Sequence, residues 1–149
     1  HADNIFADAK NVHINPETVP LKNPSYIVKV SDTDVFSSYV PPTAEDMQKI
    51  YEGIISRPGW DDTDAVKNGN ILLLSHYVHG GASKLVGTMY IAKFLYPEEL
   101  PDLEPEEIFK TWVEKYQQLP YIAGHTRPAF PLPATKKTLD SGNSAGKNL

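Results

Sequence analysis

Residues 71–74 form an uninterrupted apolar run, Ile-Leu-Leu-Leu, between a Lys-Asn-Gly-Asn turn and a polar stretch holding two His, one Tyr and a Gly pair. A short run of this kind, bounded by turn residues, reads as a strand buried on both faces. Such a strand needs a covering layer on each side, so it directs the chain toward an α/β arrangement. Residues 75–83 read as the loop that leaves the sheet. A helix is expected from Lys84, with Leu85, Met89, Ala92 and Leu95 on its apolar side and Val86 and Ile91 beside them, until Pro97 stops it. A loop at the carboxyl end of a strand is where open α/β sheets place ligands.

The remainder of the chain supplies the other layers. Residues 26–30 are β-branched and aromatic and read as a second strand. Thr43 is placed to cap a helix over 44–56, with Met47, Ile50, Tyr51, Ile54 and Ile55 on one side. One helical turn is expected at 64–67. Pro105 opens a last helix over 105–117, whose apolar side reads as Ile108, Trp112, Val113 and Tyr116. Asn15-Pro16-Glu17 is a helix start, limited to about two turns by Pro20 and Asn23-Pro24. Trp60, Trp112, Tyr90, Phe94 and Tyr116 fall on apolar faces or just after a helix and read as core. The fold class expected is a three-layer α/β lobe with a small, mostly parallel sheet. It occupies residues 1–124, and residues 125–149 form a tail whose last part is too polar to build a core.

Composition narrows the function. The net charge is −5 with no Lys/Arg cluster, which argues against nucleic acid as a partner. There is no cysteine, so disulfides, thiol nucleophiles and thiolate metal sites are excluded. No apolar run approaches the roughly 20 residues of a membrane span, and no signal-peptide pattern is visible. The opening His1-Ala2-Asp3-Asn4 reads as the edge of a piece of a longer protein. His76 and His79 are three apart, and imidazole is a common metal ligand, but no HExxH-type framework accompanies them. Gly80-Gly81 lacks the Lys-Ser/Thr of a phosphate loop. Glu98-Glu99 and Glu106-Glu107 read as solvated helix ends.

In order and spacing, four segments resemble the C-terminal lobe of a substrate-binding protein of the iron-siderophore, haem and vitamin B12 uptake class. Asp3-Asn4-Ile5-Phe6 is similar to that family's Gly-Gly-x-Asn-Ile/Leu-Phe segment. Residues 14–19, with Asn23-Pro24 and the strand after it, resemble its Glu-x-Val/Leu … Asn-Pro-Asp segment. Arg57-Pro58-Gly59-Trp60, followed by Ala65-Val66-Lys67-Asn68-Gly69 and the strand at 70–74, resembles its Pro-Gly-Trp … Ala-Val-Lys-x-Gly segment. Gly80-Gly81 through Leu95-Tyr96-Pro97-Glu98 and the acidic linker resembles its closing helix and tail. The match spans roughly residues 3–121. Ser25 stands where the family has Asp, and Pro20 interrupts the short helix after Glu17.

The resemblance implies a binding function without covalent chemistry and with no cofactor. The ligand would be a metal chelate: a ferric siderophore, haem or a corrinoid. It would be held between this lobe and an N-terminal lobe missing from the sequence. It would then be delivered outside the cytoplasm to the permease of an ABC importer. On that reading Glu17 docks the lobe onto arginines of the permease. The cleft is lined by His76, Tyr77 and His79, with His13, Asp34 and Phe36 as further candidates from the loops at 11–13 and 31–39. Read without the resemblance, Glu17 is a helix-start carboxylate and the loop residues are turn chemistry. Two other functions fit the residues less well. One is a cell-surface interaction domain that keeps the lobe fold. The other is a small metal-dependent hydrolase using His76, His79 and an Asp.

Overall fold

The computed structural model describes residues 2–7, 14–31, 39–130 and 132. Its centre is a three-stranded sheet in the order β1 (Ile27–Ser31), β2 (Ile71–Ser75), β3 (Thr126–Arg127). β1 and β2 are parallel, with Ile27 beside Ile71 and Ser31 beside Ser75. β3 is antiparallel to β2 at Leu73 and Leu74, so the sheet is mixed. The expected buried strand is present: every residue of β2 is buried. Its side chains alternate between two cores, as the two-residue period of a strand requires. Ile71 and Leu73 enter one with Val19, Met47, Ile54 and Trp60. Leu72 and Leu74 enter the other with Val78, Val86, Tyr90, Phe94, Phe109 and Val113. Helices cover both faces, completing a three-layer α/β lobe.

The first core is roofed by α1 (Thr18–Lys22) and α2 (Ala44–Ile55). α2 begins with a capping box. The Thr43 hydroxyl accepts from the Asp46 amide, and the Asp46 carboxylate accepts from the Thr43 amide. The Thr43 hydroxyl also donates to the Asp46 carboxylate at 2.7 Å, and that bond, followed by the one from the Thr43 amide, holds the Asp46 carboxyl below its usual range. α1 is only one turn and is pinned from below: the Trp60 indole donates to the Pro16 carbonyl at 3.1 Å. Asn23 ends α1 in a left-handed conformation, and its side chain accepts from the Asp64 amide at 2.8 Å, tying α1 to α3 (Asp64–Lys67).

The second core holds α4 (His76–His79), α5 (Lys84–Leu95) and α6 (Pro105–Thr111). Several corrections to the sequence reading fall here. Residues 75–83 are not an open loop: Ser75 ends β2, α4 follows at once, and a 3-10 turn spans Gly81–Ser83. The buried stripe of α5 is Val86, Tyr90 and Phe94, and Leu85 is 65% exposed. The cause is Gly87. A β-carbon there would lie 2.6 Å from the Val78 carbonyl oxygen, so the helix must turn its glycine toward α4. Lys93 fixes the same rotation by donating to the Leu100 and Pro101 carbonyls at 2.7 and 2.8 Å.

On α6 the buried residues are Pro105 and Phe109, and Val113 is buried just beyond it. Ile108 and Tyr116, expected in the core, are 38% and 66% exposed. The helix runs on as a π turn over Trp112–Tyr116, which shifts the register of its last side chains. Packing also continues past Gly124. His125, Thr126 and Phe130 are buried, with β3 on the sheet and Phe130 against Tyr90 at 4.9 Å.

Candidate functional site

The carboxyl ends of β1 and β2 lie side by side, and the residues after them meet. Tyr39, the first described residue after β1, packs edge-on against Tyr77 of α4 with ring centroids 5.8 Å apart. Tyr77 also touches Phe109, Trp112 and His125 at 6.2, 6.5 and 5.3 Å. Beside this cluster is an open depression of about 230 Å³ lined by His76, Tyr77, Gly80, Ala82, Ser83 and Trp112. Trp112 is shared with a second, larger groove of about 410 Å³, whose walls include Ile108, Tyr116, Glu104 and Glu107. The π turn thus places one indole between two surface hollows.

The Gly pair has a local reason. A β-carbon on Gly80 would sit 2.8 Å from His76 Cε1, so only glycine lets the imidazole fold back over the turn. Gly81 takes φ +52°, in the left-handed region. Ser83 then closes the turn, its hydroxyl shared between the carbonyls of Tyr77 and Gly80. Burial, with the Tyr39 phenol adding, pushes the Tyr77 phenol above its usual range. Tyr77 is therefore a neutral hydrogen-bond donor at physiological pH.

The candidates from sequence separate on this geometry. His76 and Tyr77 both line the depression. His79 is not among its lining residues: its Nδ1 is buried without a hydrogen-bond partner, 2.8 Å from where a β-carbon on Gly87 would lie. Among the described residues, no three His, Asp or Glu side chains gather closely enough to hold a metal ion. His13, Asp34 and Phe36 lie outside the described residues. Glu17 is on another part of the surface, at the entrance of α1, exposed and held in place by the Asn15 side chain, which accepts from its amide at 3.1 Å.

His125 is the residue that sequence reasoning missed. It is 3% exposed. The Ser75 hydroxyl lies 2.7 Å from its Nδ1, and the Tyr39 carbonyl lies 3.1 Å from its Nε2. A carbonyl only accepts, so Nε2 carries the proton and Nδ1 accepts from Ser75. Burial lowers the His125 pKa from its ordinary 6.5 to about 4. Although a Ser–His pair suggests nucleophilic chemistry, Ser75 is fully buried and no substrate can reach it. On the far side of Phe109, Glu106 accepts from Tyr90 at 2.5 Å and from Tyr121. Burial raises the Glu106 pKa.

These two groups give opposite pH dependences. The His125 pKa is depressed on folding, so its contribution is present above about pH 6.5 and is lost as pH falls toward 4. At full size the loss is on the order of 3 kcal/mol. The raised Glu106 contributes stability at low pH that is lost as pH rises through its folded value. Urea midpoints should therefore fall between pH 7 and pH 5, and fall more steeply in Glu106→Gln, which lacks the opposing group. A flat profile in both proteins would contradict the buried, neutral His125.

No protein-family model matches the sequence, and no curated protein matches it. The fold does have a counterpart among solved structures. The TroA-like periplasmic binding protein FepB from Veillonella parvula superposes with a TM-score of 0.72 at 28% sequence identity, over 84% of this chain. The chain spans 38% of the length of that structure. The likeness is to part of a binding protein, and it lends nothing to the hydrolase reading. No helix among the described residues is long and apolar enough to cross a membrane. With its small mixed sheet of three strands flanked by helices, the chain matches an α/β lobe of a TroA-like periplasmic binding protein.

Proposed function

We propose that this chain is the ligand-enclosing lobe of an extracytoplasmic receptor. The receptor would bind a metal chelate against the carboxyl edge of β1 and β2 and deliver it to an ABC importer. The observation that carries this is the aromatic and imidazole wall of His76, Tyr77 and Trp112 around an open depression, on a lobe similar to part of a periplasmic binding protein. A chelate such as a ferric siderophore, haem or a corrinoid is broad and partly apolar, which suits aromatic walls with few polar groups. His76 and Tyr77 offer it an imidazole and a neutral phenol, and His79 backs the wall from the α5 side. His13, Asp34 and Phe36 complete the ligand-facing set in this reading. The hollow is shallow, so a second lobe has to supply its other wall. Glu17 is the docking group for the permease. Its carboxylate is exposed on a short, well-anchored helix, suited to bidentate pairing with arginine.

The test of the wall is Tyr77→Ala in a protein carrying both lobes. Removal of the ring should weaken chelate binding by about 1–2 kcal/mol, read from visible absorbance during titration. A loss of several kcal/mol accompanied by a shifted iron band would mean that the loop ligates the metal itself. Unchanged affinity would remove α4 from the binding surface.

A further inference from the structure

Three segments distant in sequence end on one imidazole. His125 immediately precedes β3, and its carbonyl accepts from the Ser75 amide at 2.8 Å. The Ser75 hydroxyl donates to its Nδ1, and its Nε2–H donates to the Tyr39 carbonyl. Ser75 is the residue immediately before α4, and Tyr39 is the first described residue after β1. The two bonds leave from opposite sides of the ring, so together they fix its rotation. The ring plane then lies tilted by 31° from that of Tyr77 at a centroid distance of 5.3 Å. Phe109 meets the same imidazole edge-on at 5.4 Å, at 87°. The imidazole thus packs against the Tyr77 ring and tethers the backbone of Tyr39, and the rings of Tyr39 and Tyr77 pack on each other.

We propose that His125 is the positioning residue of the candidate site: it locks the Tyr39–Tyr77 pair and the start of α4 in one arrangement through its bonds to the Tyr39 carbonyl and Ser75. That the pair faces a ligand rests on the function proposed above; that His125 positions it does not. A larger apolar side chain could fill the same volume, but it could not hold two segments by hydrogen bonds in opposite directions. Histidine in its neutral form, with the proton on Nε2, satisfies both the carbonyl and the hydroxyl without placing a charge in the core. The short α4 explains why such a tether is needed. Four residues make a single turn, which has little stability of its own. Its Ser75 cap gives no side-chain bond to the helix, because that hydroxyl is committed to His125.

The experiment is nitrogen-15 NMR of the histidine side chains of this chain at pH 7, followed by the same spectra and ring–ring NOEs for variants. The native chain should show His125 neutral with the proton on Nε2, and NOEs between the Tyr39 and Tyr77 rings. His125→Phe keeps a ring of similar size and removes both bonds; it should lose those NOEs while Phe130 still contacts Tyr90. His125→Gln, which can still donate to the Tyr39 carbonyl, should restore part of them. Ser75→Ala removes one bond alone, should weaken the NOEs, and serves as the test if His125→Phe does not fold. A proton on Nδ1, or Tyr39–Tyr77 NOEs unchanged in a folded His125→Phe or Ser75→Ala protein, would overturn the proposal. Titration of the native two-lobed protein with haem and with a ferric trihydroxamate tests the function separately: no binding there would count against the chelate reading and leave the NMR result standing.

Discussion

Replacing Phe109 by alanine should cost about 3–5 kcal/mol, a large part of the roughly 5–15 kcal/mol that holds a domain of this size together. Phe109 is 1% exposed, and its ring is in contact with Tyr77, Trp112, Tyr121 and His125. No single shift of a neighbour could fill the space left behind, because the four rings belong to different segments. The control is the adjacent residue. Ile108 is 38% exposed on the groove side, and Ile108→Ala should cost less than about 1 kcal/mol. Urea denaturation of the two variants decides which face of α6 is buried. Equal losses, or a larger loss for Ile108→Ala, would favour the rotation that the 108–112–116 spacing suggests and contradict the packing described here.

Charge reversal at Glu17 should abolish uptake by the complete receptor while leaving chelate affinity as it was. Glu17 does not touch the candidate cleft. It is at the entrance of α1, with Trp60 and Asn15 holding the backbone around it. An arginine there would meet the permease arginines of the docking reading with like charge. Its structural cost is small, since an exposed charge at a helix start contributes only about 0.3–1 kcal/mol. The measurement is cellular uptake alongside equilibrium binding for Glu17→Arg. Uptake at the native rate would end the docking role. Lost uptake together with lost binding would show that the substitution acts on the cleft or the fold instead.

The parts of the fold that could be read from sequence were those set by local rules. β2 announced itself because four apolar residues sit between turn signals. The start of α2 was legible because a Thr cap is a local hydrogen-bond signal, which the structure extends to a capping box with Asp46. α5 was placed correctly along the chain but turned by about one residue, because its rotation is decided by a non-local contact, Gly87 against the Val78 carbonyl. α6 was misread in the same way, since a π turn breaks the 3.6-residue period on which the reading depended. α4 was taken for loop because its four residues, His-Tyr-Val-His, with a single aliphatic side chain, are too few to show a period.

For the site, His76 and Tyr77 stood out as polar residues after a buried strand, a position with a physical meaning. Trp112 was recognised as aromatic but assigned to the core, and the structure shows it half-buried between two hollows. His125 had no sequence signal. Its partners, Ser75 and Tyr39, are 50 and 86 residues away, and nothing in the local pattern around a lone histidine foretells such bonds.

The central claim is that this lobe supplies one wall of a chelate-binding cleft, and its most direct test is a pair of titrations followed by visible absorbance. This chain and the two-lobed receptor would each be mixed with haem, a ferric trihydroxamate and cobalamin. A ligand enclosed on one side only keeps much of its surface in water, so the chain alone should bind weakly or undetectably. The two-lobed protein should bind one of the three tightly, with a stoichiometry of one. Failure of the two-lobed protein to bind any of them, or equally tight binding by this chain alone, would contradict the account.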